Sequence, residues 1–494
     1  MSVIDLSRTC SGKIVPRTRW LVSASALAIV AILGPITAAN ANAESLRQAL
    51  ASTYKYNPRL DAERARLRAS DEEVPRALSG YRPNVSGTAD TGFQRNDTKP
   101  PSASNGETHP HGFGVNFIQP IFRGFRTINT VRQAEANVRA ARENLRTIEQ
   151  SVLLEAVTAY MDVVRDQSLI RLRENNVSVL SRELRATQDR FAVGEVTRTD
   201  VAQAEAQRAV AVAALDLAKA NLKISSANYL RTVGAIPTNV VPPTVPEKLL
   251  PKSQSEVNAI TLQESPLVIQ AQYLEQAARH AVDTIWGELL PTLQLEGNYT
   301  RRYEPSRSID ESQSTSLIGR LNVPIYGQGE VHARLRQSKH THVSRLQEIE
   351  RVRTDAIATA TAAYAQLVAV RARLVSDRIG VEASQTALNG VREEEKVGQR
   401  TLLDVLNAEQ ALLNAQVTLV TDQRDLVVQS YAVLLSVGRL NNEYLELGSA
   451  SYDPEAHYFE IRKNWFGISI THADGRREHH NNWETHGRHE PVLK

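Results

Sequence analysis

The stretch "KVGQRTLLDVLNAEQ", residues 396–410, has the form of an ordinary helix start, yet the chain carries that form twice. Residues 192–207, "AVGEVTRTDVAQAEAQ", repeat its Val, Gly, Thr, Asp, Val, Ala and Glu when Gly194 is laid over Gly398. The offset of 204 residues then holds over a long ungapped stretch. "QPIF" (119–122) lies over "VPIY" (323–326), Arg132-Gln133 over Arg336-Gln337, Tyr160 over Tyr364, and Val233-Gly234 over Val437-Gly438. Upstream the offset becomes 208, with Pro58 and Pro83 over Pro266 and Pro291. Self-similarity at a fixed period marks a tandem duplication, the small length difference falling in a loop.

The residues around each copy of the motif read as long helices. From Phe125 to Val193 there is neither Gly nor Pro, and Ala, Arg, Glu, Gln and Leu dominate, all strong helix formers. At 1.5 Å per residue such a stretch reaches about 100 Å. Gly194 supplies a stop, and Glu195–Val233 is again free of Gly and Pro. The second copy runs Glu330–Ile379, then meets Gly380, Gly390 and Gly398 before Gln399–Val437. Each repeat is therefore expected to be a long antiparallel hairpin whose tip is the quoted motif. The return arms are shorter, about 60 Å by the same rise. Helical segments 44–80 and 256–287 are expected to stack end to end with them.

Between these segments lie four stretches of period two. Tyr81, Pro83, Val85, Gly87, Ala89, Thr91 and Phe93 alternate with polar neighbours. Phe113, Val115, Phe117 and Ile121 do likewise, then Leu293, Leu295 and Tyr299, then Leu317, Leu321, Val323 and Ile325. They predict strands at about 81–95, 111–122, 290–302 and 314–326, each with one apolar and one polar face. About 10 residues is the length of a membrane-spanning strand, although a soluble sheet covering a core gives the same alternation. The connections 96–112 and 304–314 are polar and are expected as loops.

The N-terminus carries Arg8, Lys13, Arg17 and Arg19, the apolar run "WLVSASALAIVAIL" and then "ANA" at 41–43. This is read as a signal peptide, residues 1–43; the run is shorter than the roughly 20 residues of a spanning helix. The single cysteine, Cys10, lies within it. The rest is hydrophilic, with mean hydropathy −0.34 over the chain, and holds no second apolar run long enough to span. The net charge of +3, with basic and acidic residues interspersed, gives no nucleic-acid face. No G-x-S-x-G, H-E-x-x-H, phosphate-binding loop or dinucleotide fingerprint occurs, so no enzyme, cofactor or metal site is expected.

A signal peptide, no spanning helix and bilayer-length strands together suggest an outer-membrane barrel, in which every backbone group finds a partner in a closed sheet. Four strands do not close one, since known barrels start at about eight. Copies of the chain must pool strands, and three copies give twelve. The expected class is an α+β membrane protein whose strands are pooled between copies of the chain and whose helices are directed into the periplasm.

The duplicated plan, with "VGxRTxxDVLxA" at 397–408, resembles the TolC-type outer-membrane efflux proteins over residues 44 to 440 or so. The resemblance implies a homotrimer with a twelve-stranded barrel continued by a twelve-helix periplasmic tunnel, which serves as exit duct for drug efflux or type I protein secretion. Its partners would be a periplasmic adaptor and an inner-membrane transporter, with outer-membrane lipid around the barrel. The repeats would span 44–234 and 257–440, joined by a proline-rich linker at 235–256. From 441 an equatorial segment would lead into a disordered, His-rich tail.

The same resemblance carries site residues. The family's gate arginine falls on Arg400, its partner aspartate on Asp200, and the inner acidic ring on Asp404. The second ring position is Asn407, a departure that predicts weaker block by multivalent cations. The position of the family's gate tyrosine is Glu395, another departure, while Asp189 stands at a polar gate position. The tips that receive the adaptor map to Val193, Gly194 and Thr197, and to Val397, Gly398 and Thr401. A plainer reading coexists: Thr197-x-x-Asp200 and Thr401-x-x-Asp404 have the form of capping boxes, and Arg400 that of a solvated charge. The rival functions are a periplasmic adaptor, which usually carries one hairpin, and a trimeric coiled-coil stalk.

Overall fold

The computed structural model describes residues 44–102, 105–471 and 477–478. The expected signal peptide, residues 1–43, and the His-rich end of the tail fall outside them. In chain order the elements are α1 (Leu46–Tyr56), α2 (Pro58–Asp71), α3 (Glu73–Leu78), β1 (Asn84–Thr91), β2 (Gln94–Asn96), β3 (Gly106–Thr108) and β4 (His111–Arg123). Then come α4 (Arg126–Ala192), α5 (Arg198–Val233), α6 (Gln254–Glu264), α7 (Pro266–Trp286), β5 (Thr292–Ser306) and β6 (Ile309–Asn322). The chain continues with α8 (Glu330–Lys396), α9 (Leu402–Ser436), α10 (Ala456–Ile461), β7 (Ile470–Thr471) and β8 (Arg477–Glu478). Among the described residues no helix is long and apolar enough to cross a membrane.

The main sheet has the order β1-β4-β5-β6, antiparallel throughout. Its register sorts the side chains by chemistry. Val85 faces Phe117, which faces Gly297, which faces Leu317; Val115 faces Tyr299, and Leu293 faces Leu321. One residue along, Ser86 faces Asn116, Asn298 and Ser316, and Thr88 lies in line with Thr300 and Ser314. One face is therefore apolar and the other polar. On the polar face Arg302 pairs with Asp90 at 3.3 Å and Arg320 with Glu296 at 2.7 Å. Among the described residues no core covers the apolar face: Leu317 is 72% exposed and Leu321 63%.

The strands differ from expectation at their ends. Residues 304–314, read as a loop, are mostly strand, and the turn is only Arg307-Ser308. Asp310–Ser314 are polar on both faces, so no period announces them; the ladder to β5 and an Arg301–Glu311 ion pair of 2.5 Å hold them. The first connection also contains a short hairpin, β2 with β3. At the other end β6 stops at Asn322 rather than continuing to Tyr326, because Pro324 has no N–H to give a ladder. In β4 the register steps between Pro120 and Phe122. Phe122, rather than Ile121, thus stands opposite Leu293 on the apolar face.

Helices α4 and α8 are 67 residues each, about 100 Å long. The α8 helix runs straight through Gly380 and Gly390, where each glycine lowers helix propensity by about 1 kcal/mol; packing along the hairpin overrides that local signal. The return arms α5 and α9 have 36 and 35 residues. Each ends against the start of another helix. At the first junction Asn57 caps α2 by accepting from Arg59 N at 3.0 Å, while its Nδ2 donates to Thr232 O of α5 at 2.9 Å. At the second, Arg439 just past α9 pairs with Glu264 at 2.6 Å, next to Pro266, the first residue of α7. In both, Pro at N1 starts the new helix without losing a hydrogen bond. Where strands meet helices, Gly124 and Gly287 touch backbone to backbone, and a Cβ on either would lie 2.2 Å from the other's carbonyl oxygen.

The largest core lies midway along the helices, where Leu50, Leu153, Tyr160, Tyr229, Leu367, Leu434 and Leu440 meet. Tyr160 OH joins the carbonyls of Glu44 and Val241 at 2.7 Å each, tying the start of the described chain to the segment after α5. Residues 441–461 wrap this level, with Asn442 N donating to Glu149 and Tyr452 N to the Tyr54 hydroxyl. Asn57→Ala removes both a cap and a bond across the first junction. It should destabilise the protein by about 1–3 kcal/mol, seen as a lowered thermal unfolding midpoint; an unchanged midpoint would show that the junction adds nothing.

Candidate functional site

The hairpin tips fold alike because the same residues recur there. Val193 and Val397 end the long helices near φ −97°, and Gly194 and Gly398 follow at φ 81° and 77°, in the left-handed region where glycine carries no Cβ penalty. Glu195 N returns to Arg190 O at 2.9 Å, and Gln399 N to Glu394 O at 2.9 Å. Thr197 then caps α5 and Thr401 caps α9. Asp200 accepts from Thr197 N at 2.9 Å and Asp404 from Thr401 N at 3.0 Å, completing two capping boxes. Val193 and Val397 remain 73% and 70% exposed. Beneath the tips, Leu180 and Leu184 of α4, Ala204 and Ala211 of α5, and Leu402 and Leu406 of α9 form one cluster, so the two hairpins are joined there.

The charges distinguish the copies. Arg400 pairs with Glu394 of its own tip at 2.9 Å. No ion pair joins it to Asp200 within the chain, where that carboxylate serves its cap. Asp189 and Asn407 are exposed, and Asp189 makes no ion pair among the described residues. The motif missed one contact: Arg190 of α4 reaches Glu395 of α8 at 2.6 Å, bridging the two hairpins. Its signal was the basic Arg190 in one copy against the acidic run Glu393–Glu395 in the other. Behind it Arg392 pairs with Glu409. Glu183 is pushed up from the ordinary carboxylate range, first by burial and then by the nearby Glu395 charge.

The Asp404 carboxyl is held below its ordinary value of 3.8, mainly by the backbone N–H of Thr401, then its hydroxyl, with Arg400 adding a little. Within one chain the field therefore favours the charged form, opposite to mutual repulsion in an acidic ring. A depressed folded value means that the cap's contribution is complete above 3.8 and is lost as pH falls through the lower folded value. Amide protection in the first turn of α9 should therefore be constant above about pH 5 and fall below about pH 4. In Asp404→Asn the fall should be absent. Hydrogen exchange followed across that range measures both, and identical profiles would remove the carboxylate from the cap.

An amphipathic sheet with free edges, extended by paired long helices, defines the class of outer-membrane export channels. The profile of the outer membrane efflux protein family matches residues 37–235 and 259–439, and the chain belongs to that family. It is 39% identical over 442 residues to the outer membrane efflux protein BepC of Brucella suis biovar 1 (strain 1330), covering 89% of this chain and 95% of that one. It is 24% identical over 434 residues to the outer membrane protein TolC of Escherichia coli (strain K12), covering 82% and 84%. The solved Campylobacter jejuni CmeC outer membrane channel shares the fold, with a TM-score of 0.72 at 17% identity over 85% of this chain and 89% of that one. The protein is an outer-membrane exit duct, of a transport family rather than an enzyme family.

Proposed function

We propose that three copies close one twelve-stranded barrel, continued by a twelve-helix tunnel, as the exit of a tripartite efflux or type I secretion system. The carrying observation is the four-stranded sheet with two chemically opposite faces and free edges at β1 and β6. An open edge in hydrocarbon leaves backbone groups unpaired at several kcal/mol each. The helices support the same closure. They follow one another as α5, α4, α9 and α8 by contact, and both flanks carry unpartnered apolar stripes. Val210, Leu217 and Ile224 recur every seven residues on α5, and Val368, Val375 and Ile379 line α8. A seven-residue apolar spacing is what a coiled contact with a neighbouring helix requires. The duplication then has a purpose: each copy of the chain gives two hairpins to one tunnel.

At the tips, Arg400 exchanges Glu394 for Asp200 of the neighbouring copy, and the Arg190–Glu395 bridge holds the two hairpins of a copy together. Exposed pairs contribute about 0–1 kcal/mol each, but threefold symmetry repeats every link around one axis. Docking of a periplasmic adaptor on Val193, Gly194 and Thr197 and on Val397, Gly398 and Thr401 separates the links and dilates the entrance. Three Asp404 carboxylates around the axis attract cations, and with Asn407 uncharged there is one strong acidic ring rather than two. An inner-membrane transporter selects the cargo.

Single-channel conductance in planar bilayers tests the gate. Wild type should conduct weakly and Arg400→Ala several-fold more, whereas Asn407→Asp should tighten block by a trivalent cation. A mutant no more open than wild type would remove Arg400 from the gate, and unchanged block would remove residue 407 from the ring.

A further inference from the structure

From Glu455 the chain climbs α4 toward the strands, through α10 and beyond it. Glu455 pairs with Arg142 at 2.5 Å, Arg462 pairs with Glu135 at 3.0 Å, and the Trp465 ring lies 4.9 Å from the Arg82 guanidinium. Since α4 starts at Arg126 and β1 at Asn84, each contact is closer to the sheet than the last. Trp465 therefore stands at the helix-side end of the strands. Beyond it Phe466 and Ile468 are 93% and 77% exposed, and Ile470 is exposed too. A run of large apolar side chains left open to water marks an interaction surface.

The level of this run identifies its partner. At each of the four strand–helix junctions an exposed aromatic stands: Tyr81 before β1, Phe125 after β4, Trp286 before β5 and Tyr326 after β6. Aromatic girdles of this kind mark the height of a membrane interface. Trp465, beside Arg82, extends that ring, and Arg462 and Lys463 precede it. We propose that residues 462–470 are an interfacial anchor lying in the inner leaflet of the membrane that the strands span. This rests on the barrel reading. Phe466, Ile468 and Ile470 enter the acyl boundary, Trp465 lies at headgroup level, and Lys463 meets lipid phosphate, the division of labour of amphipathic surface segments. The anchor ties the level of α10 and the upper part of α4 to the bilayer outside the barrel wall.

Cys10 is the chain's only cysteine and falls in the expected signal peptide, so a single introduced thiol can carry a nitroxide. Phe466→Cys and Ile468→Cys would be labelled in the mature protein, reconstituted in phosphatidylethanolamine and phosphatidylglycerol vesicles. Leu317→Cys, on the apolar strand face, is the barrel control. Collision rates with oxygen and with a water-soluble nickel chelate would then be compared. Oxygen should exceed nickel several-fold at all three positions, with 466 and 468 shallower than 317. Nickel access at 466 and 468, or exclusion of both reagents by a neighbouring copy, would overturn the anchor while a lipid signal at 317 keeps the barrel. A water signal at 317 would overturn the barrel and the anchor with it.

Discussion

A strand in hydrocarbon has no water to satisfy its backbone, so every N–H and C=O must find a partner in the sheet. In this chain β1 and β6 each leave one edge unpaired, and the 14 residues of β6 make one of those edges long. Soluble proteins blunt such edges with short strands, proline or inward charge. Here the two prolines of the four-stranded sheet lie on its inner strands, Pro120 in β4 beyond Ile118, where the ladder to β1 stops, and Pro305 in β5 at the register shift between Tyr303 and Ser306. Both edges stay ready to pair. The apolar stripes on α5 and α8 lie at the flanks of the helical order, as β1 and β6 lie at the flanks of the sheet. The proposed closure by further copies satisfies strands and helices with one symmetry.

The tips obey a different requirement. In the proposed duct the wall opens at the tips, so its closing contacts have to be weak individually and numerous together. The backbone there is fixed firmly, by left-handed glycines and capping boxes that recur in both hairpins. The charges laid on that frame are exposed and exchangeable, as in the Arg400–Glu394 pair, with both side chains about half exposed. Geometry is thus duplicated while electrostatics diverge, and the divergence falls at the proposed gate.

Much of this was legible in the sequence, for physical reasons. Long stretches without Gly or Pro announced the hairpins, and the Thr-x-x-Asp spacing announced caps that the structure contains. Alternation announced the strands wherever one face is apolar and the other polar. It failed at Asp310–Ser314, where both faces are polar, and at Ile121, where an extra residue shifts the phase. The hairpin arm expected through Gly380 and Gly390 is one continuous helix, although each glycine weakens the local propensity. The Arg190–Glu395 bridge joins side chains 205 positions apart, and no single motif contains both. Arg400 and Asp200 are near-neighbours of the tips, yet one chain alone does not bring them together.

The central claim is that the free edges of β1 and β6 are closed by exactly two further copies. Native mass spectrometry of the mature protein, released from detergent micelles under gentle activation, tests it most directly. The account predicts a dominant species of three times the chain mass that resists dissociation until the helices unfold. A stable, folded single chain or a pair as the dominant species would contradict it, because neither supplies enough strands to close the sheet.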